Sequence, residues 1–342
     1  TLYHDDISIS QGLFDPPTTF AALAAIAGLI GLAFWQRTRR PLFALGIFWF
    51  FGGHVLTATV IPLMLAFEHR NYFPSVGLLL AVASLLVLEG PRLRARIVAL
   101  GVTSLFAFYA FTTALRALEW STPLTLAATD AAKRPDSSAA QYEYALVLLR
   151  STKDGDPEPM RRKAFAILEE MSARPNTDAV LSQLLIVASA DRGLPIKDGW
   201  WETLISKLGE RPVSSVDVSA LGGLMACFEN GVCSVDVAHL DRAFKAATRH
   251  PGGYAQLFSL YGQFAFNYLK DSDLAEEQTR LAIRQAPSDI ETRANLVKLL
   301  VARGKKGEAN SALNELRAFN HFGLLDSKVA ELRSAIEALE SK

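Results

Sequence analysis

Thiols are scarce in this chain, with Cys227 and Cys233 the only two in 342 residues. Two cysteines are too few for a disulfide scaffold or a structural zinc site. A surplus of positive charge is missing too. Lysine plus arginine and aspartate plus glutamate each total 35, so net charge offers no reason to expect nucleic acid as a partner. There is no Gly-rich nucleotide loop, no His/Cys cluster at metal-ligand spacing and no nucleophile elbow. No metal or cofactor is therefore expected from motifs. The chain opens on Thr1 with a polar stretch to Asp15 and lacks the basic start and small-residue cleavage site of a signal peptide. It is expected to be the C-terminal part of a longer protein.

Acids are nearly absent between residues 17 and 116, where Glu68 and Glu89 stand alone, and most of the rest follow Glu119. What fills that third is apolar. Four segments approach or exceed the roughly 20 residues needed to cross a bilayer core: Pro17–Gln36, Leu42–Phe67, Phe73–Leu88 and Ile97–Leu115. A hydrophobic bundle inside a soluble protein is the competing explanation, and four such runs in succession argue against it. Trp35 and Tyr72 have the character of interfacial aromatics, and Pro62 is expected to kink the end of the second span.

Two short connections carry three arginines each, Arg37, Arg39 and Arg40 in one and Arg92, Arg94 and Arg96 in the other. The positive-inside rule puts both in the cytoplasm. Asp5, Asp6 and Asp15, the Glu68–Tyr72 loop and everything after Leu118 then lie on the opposite face, the periplasm if the membrane is a bacterial inner membrane. The expected organisation is a membrane domain over residues 1–118 and a periplasmic repeat domain over 119–342.

The second part recurs. Prolines close amphipathic stretches at Pro135, Pro175, Pro212, Pro251 and Pro287. A period in the high thirties with two helices per unit marks an α-solenoid. The clearest unit runs from Gly253 to Pro287. Leu257, Tyr261 and Phe264 line its first helix, and its second, Leu274–Pro287, carries small alanines and a terminal proline. These features resemble the tetratricopeptide repeat. A further unit spans Ile290–Phe319, and a capping helix is expected over Ser327–Leu339. The fold class is thus all-α, a membrane helix bundle followed by a tetratricopeptide-like solenoid. Cys227 and Cys233 bracket a turn, where an oxidising periplasm would allow a structural disulfide; two separate, partly buried thiols are the alternative.

Chemistry concentrates in Phe67–Gly77. Arg70 can bind a phosphate bidentately, His69 can add a proton or hydrogen bond, and Glu68 can orient either. Polar side chains simply reaching for the interface are the bland explanation. His54 lies inside the second span, after Gly52 and Gly53. An ionisable group there is costly, so it serves either a hydrogen bond to a neighbouring span or proton and substrate handling.

The string Glu68-His69-Arg70-Asn71-Tyr72-Phe73-Pro74-Ser75-Val76-Gly77 resembles the ER-x-x-YLPS-x-G signature of the transmembrane, tetratricopeptide-containing O-mannosyltransferases and their bacterial relatives. Pro16-Pro17 and Trp49-Phe50-Phe51 fit the bacterial branch. The resemblance implies a GT-C glycosyltransferase that moves a sugar from a polyprenyl-phosphate carrier to a periplasmic acceptor protein held by the repeats. Membrane lipids are the other implied partner. It implies that Arg70 and His69 contact the carrier phosphate, with Glu68 and Tyr72 in support; Asn71 and His54 are further candidates for binding the substrate or the lipid phosphate. The catalytic acid of such enzymes belongs to the first outer loop of the full chain, so the catalytic residue here is unknown. The competing reading is a non-enzymatic, membrane-tethered repeat scaffold for envelope or pilus assembly.

Overall fold

The computed structural model describes residue 3 and residues 10–55, 68–86, 92–151, 158–175, 177–231, 233, 237–250 and 252–340. Among these the fold is all-α, with sixteen α-helices and no strand. The chain forms two compact units, Thr1–Val147 and Leu148–Lys342.

The first unit contains α1 (Thr18–Gln36), α2 (Pro41–Val55), α3 (Tyr72–Leu86), α4 (Arg92–Glu119), α5 (Pro123–Lys133) and the start of α6 (Ser138–Ser151). It therefore reaches past residue 118 to take in elements placed by sequence with the repeats. Two helices in it, Thr18–Gln36 and Arg96–Glu119, are long and apolar enough to cross a membrane. The helices α2 and α3 have 15 residues each, short of the roughly 20 for a perpendicular crossing. Residues 56–67, with Pro62, and 87–91 lie outside the described residues. The described helices that meet the length of a span are thus two, where four were expected.

The helices α2 and α3 pack tightly on each other, and α1 packs on α2. Glycine makes the first contact possible. A Cβ at Gly77 would lie 2.5 Å from Gly46 O, and one at Gly46 would lie 2.7 Å from Ala81 N. Such an approach brings backbones together in the way small residues allow between membrane helices. Phe43, Ala44 and Ile47 of α2 are buried with Ala33 and Ala81. On α4 the opposite holds: no residue of its apolar window is buried, and Phe106, Phe108, Tyr109 and Phe111 all face outward.

The second unit runs through α7 (Glu158–Ser172), α8 (Val180–Ala190), α9 (Asp198–Glu210), α10 (Ser215–Glu229), α11 (Val237–Ala247), α12 (Ala255–Phe264), α13 (Ser272–Gln285), α14 (Ile290–Ala302), α15 (Lys306–Arg317) and α16 (Asp326–Glu337). Most neighbours in sequence pack on each other. Helices two apart also meet: α8 on α10, α9 on α11, α10 on α12 and α14 on α16. That is the connectivity of stacked helix pairs, in which each pair contacts the next. Pro175, Pro212 and Pro287 follow α7, α9 and α13. Each sits after the second helix of a pair, where a residue without an N–H stops the helix at little cost. Leu257, Tyr261 and Phe264 are buried, as are Ala275 and Ala282 across from them. Trp200 and Trp201, which follow the α8–α9 connection, are buried in α9. Side-chain caps at Ser214, Asp271 and Asp289 start α10, α13 and α14.

Candidate functional site

The third apolar segment, expected to begin at Phe73, begins one residue earlier. Glu68–Asn71 forms one 3₁₀ turn, and α3 starts at Tyr72. Tyr72 through Gly77 are therefore helical. Pro74 is compatible with this because the first-turn N–H groups have no intrahelical partner to lose. Ser75 Oγ donates to the Tyr72 carbonyl at 2.9 Å within that turn.

This turn brings the end of α2 against the start of α3. His54 Nδ1 is 2.9 Å from the Phe50 carbonyl, and Nε2 is 3.0 Å from Asn71 Oδ1. The carbonyl can only accept, which places a proton on Nδ1. In the neutral ring Nε2 is then an acceptor, a role matched by the Asn71 amide NH₂ after a half-turn of that side chain. The Phe50 ring packs on the imidazole at 4.9 Å between centroids. On the neighbouring turn Trp49 Nε1 donates to the Phe73 carbonyl at 3.2 Å, and the two rings lie 5.3 Å apart. The His54–Asn71 bond joins α2 to the 3₁₀ turn, and the Trp49–Phe73 bond joins it to the first turn of α3.

Of the site residues named from sequence, His54 and Asn71 are therefore brought into direct contact. Arg70 is half-buried in the 3₁₀ turn beside them, and Tyr72 is exposed at 76%. The side chains of Glu68 and His69 lie outside the described residues. Trp49 was not singled out from sequence as a site residue. Its signal was present: an indole inside an apolar helix needs a partner for its N–H.

In the second unit Cys227 and Cys233 are joined in a disulfide, with Cα atoms 5.3 Å apart. The Cys233 N–H donates to the Cys227 carbonyl at 3.1 Å, which closes the end of α10. Buried titratable groups here are paired. Lys207 donates to the Arg174 carbonyl at 2.6 Å, to the Thr177 carbonyl at 3.1 Å and to Thr177 Oγ1 at 2.6 Å. Burial, aided by nearby Arg211, holds its ammonium pKa below the ordinary lysine range. All three donors are used, so Lys207 locks the α7–α8 connection. Burial and the neighbouring Asp241 carboxylate push the Tyr261 phenol up, and its hydroxyl donates to Asp241 at 3.1 Å.

One cleft on this unit is lined largely by polar side chains. It has a volume of about 550 Å³ and is lined on α12 by Gln256, Ser259, Leu260 and Gln263, and on α14 by Thr292 and Asn295. The exposed side-chain amides of Gln256 and Asn295 make no hydrogen bond within the chain among the described residues. Such amides can both donate to and accept from a polypeptide backbone. Sequence reading passed over them because exposed Gln and Asn carry no periodic signal.

No protein-family model, no curated protein and no solved structure matches this chain.

Proposed function

We propose that the chain belongs to a membrane glycosyltransferase of the GT-C type, which transfers a sugar from a polyprenyl-phosphate carrier to a periplasmic acceptor protein. The observation that supports this reading is the His54–Asn71 contact at the end of the apolar α2–α3 hairpin. It holds the turn that carries Arg70 in one conformation. A guanidinium on a fixed turn beside lipid is suited to a phosphate with an apolar tail. In this reading α2 and α3 are two further spans beside α1 and α4, completing a four-span bundle. The arginines Arg37, Arg39 and Arg40 and, at the start of α4, Arg92, Arg94 and Arg96 support a repeat unit on the periplasmic face of a bacterial inner membrane. Stacked tetratricopeptide-like pairs then hold the acceptor.

The test is Arg70→Ala in the native-length protein in its own membrane. Glycosylation of the periplasmic acceptor should be lost while the protein stays in the membrane fraction. Unchanged glycosylation overturns the reading.

A tethered scaffold is the second reading, supported by the cleft between α12 and α14 with its unpaired amides. It predicts that a Gln256→Ala and Asn295→Ala double variant loses cross-linking to its envelope partner, while Arg70→Ala changes nothing.

A further inference from the structure

The turn between α15 and α16 presents two large apolar side chains with no cover. Phe322 is 101% exposed and Leu324 is 82% exposed, the two highest values among the exposed large hydrophobic side chains. Among the described residues Phe322 is also one of two non-glycine residues with positive φ, at 58°. A bulky residue in the left-handed region is a conformational outlier, and such strain clusters where function requires it.

The turn around it is well anchored. Asn320 Nδ2 donates to Asp326 Oδ1 at 2.7 Å, and the Leu325 N–H donates to Asn320 Oδ1 at 2.8 Å. These bonds tie the two ends of the turn together and hold the phenyl ring outward.

The shape points to the kind of partner. The projection is convex and consists of two side chains. A stable protein interface needs about 800 Å² from each partner, far more than this pair offers. A lipid interface accepts an isolated apolar wedge, since acyl chains close around it, and aromatic rings are favoured at headgroup depth. Such a surface is available to this chain, which carries two helices long and apolar enough to cross a membrane. Arg317 in the last turn of α15 is exposed and has no ion-pair partner among the described residues, so its charge is available to an anionic headgroup.

We propose that the Phe322–Leu324 turn is a membrane-contacting wedge, which inserts its two side chains into the headgroup region of an anionic bilayer. The inference rests on the membrane anchoring in the reading above and is independent of the sugar-transfer chemistry.

The experiment is spin-label accessibility in the full chain reconstituted in phosphatidylethanolamine and phosphatidylglycerol vesicles. Phe322→Cys carries the label; Cys227 and Cys233 are bonded to each other and do not take it. A second variant, Phe106→Cys on α4, reports the anchor. The expected result at both positions is faster collision with oxygen than with a water-soluble nickel chelate. If position 106 faces lipid while position 322 collides faster with nickel, the wedge is overturned and the anchoring stands. If position 106 also faces water, the anchoring fails and the wedge with it. Spin–spin broadening at 322 that disappears on dilution with unlabelled protein would mean that a second copy covers the turn, which also overturns the proposal.

Discussion

The carboxylate of Asp217 on α10 accepts the backbone N–H of Ala179 at the start of α8, across 38 residues of sequence, at 2.9 Å. Ala179 has no side chain able to cap its own helix, so one helix pair supplies the cap of the previous one. The same carboxylate, 1% exposed, accepts from the Ser214 N–H at 2.8 Å and pairs with Arg211 at 2.9 Å.

Replacing Asp217 by alanine should destabilise the repeat unit by about 2–4 kcal/mol, because buried N–H groups at two helix starts lose their acceptor. Arg211 is a third exposed and keeps part of its hydration, so its share is the smaller one. Urea unfolding followed by circular dichroism measures this. Asp217→Asn, which retains one acceptor oxygen, should fall between the two. A loss below 0.5 kcal/mol for alanine would show that water replaces the cap, as at an ordinary surface position (about ±0.5 kcal/mol).

The Gly46–Gly77 approach makes a second expectation. Gly46→Val should force α2 and α3 apart at a cost of about 1–3 kcal/mol, and should break the His54–Asn71 contact at the hairpin's end. Gly28→Val on α1, where a Cβ meets nothing within 4 Å, is the matched control. Thermal unfolding of both variants in lipid nanodiscs gives the comparison, and equal melting temperatures would refute the close-packed hairpin.

The disulfide closes a short loop, with a sequence separation of 6. Loop-closure entropy for that length gives about 2 kcal/mol of stabilisation in the chain-entropy model. Substituting both cysteines by serine should lower the urea midpoint accordingly, and a reductant should reproduce the loss in the parent protein. If reductant has no effect while the double serine variant is destabilised, the thiols contribute by packing rather than by the bond.

Glu276 on α13 receives Arg280 Nε at 2.9 Å, Arg303 at 2.6 Å and Lys305 at 2.9 Å, the last two from the α14–α15 turn. Burial alone would raise its pKa, but the hydrogen bonds from Lys305 and Arg280 outweigh burial and hold it below the ordinary carboxylate range. A carboxyl with a lowered native pKa adds stability that is full above its unfolded pKa, about 4.3. That stability disappears as pH falls through the native value. Glu276→Gln should therefore cost about 1–3 kcal/mol at pH 7. The gap between variant and parent should narrow below pH 4, and a gap that is constant from pH 7 to pH 3 would mean that the charge is immaterial.

The helical class and the second unit's pairing were legible because they rest on local rules. The prolines at Pro175, Pro212 and Pro287 each follow a helix end, and Leu257, Tyr261 and Phe264 recur at helical spacing toward one face. The apolar stretches over α1 and α4 were legible for the same reason, since length and composition alone define them. The start of α3 was legible to within one residue, but the 3₁₀ turn at Glu68–Asn71 before it was not, because its His54 contact is made to a residue 17 positions away.

Periodicity, breaking residues and apolar length act within a turn or two of the chain, so the string of letters carries them in full. The His54–Asn71 contact, the Asp217 cap on Ala179, the Lys207 lock and the uncovered Phe322 tip have no such local signature. Each depends on which distant group comes within hydrogen-bonding reach, or on none doing so, and that is settled by the packing of elements 17 to 38 residues apart in sequence.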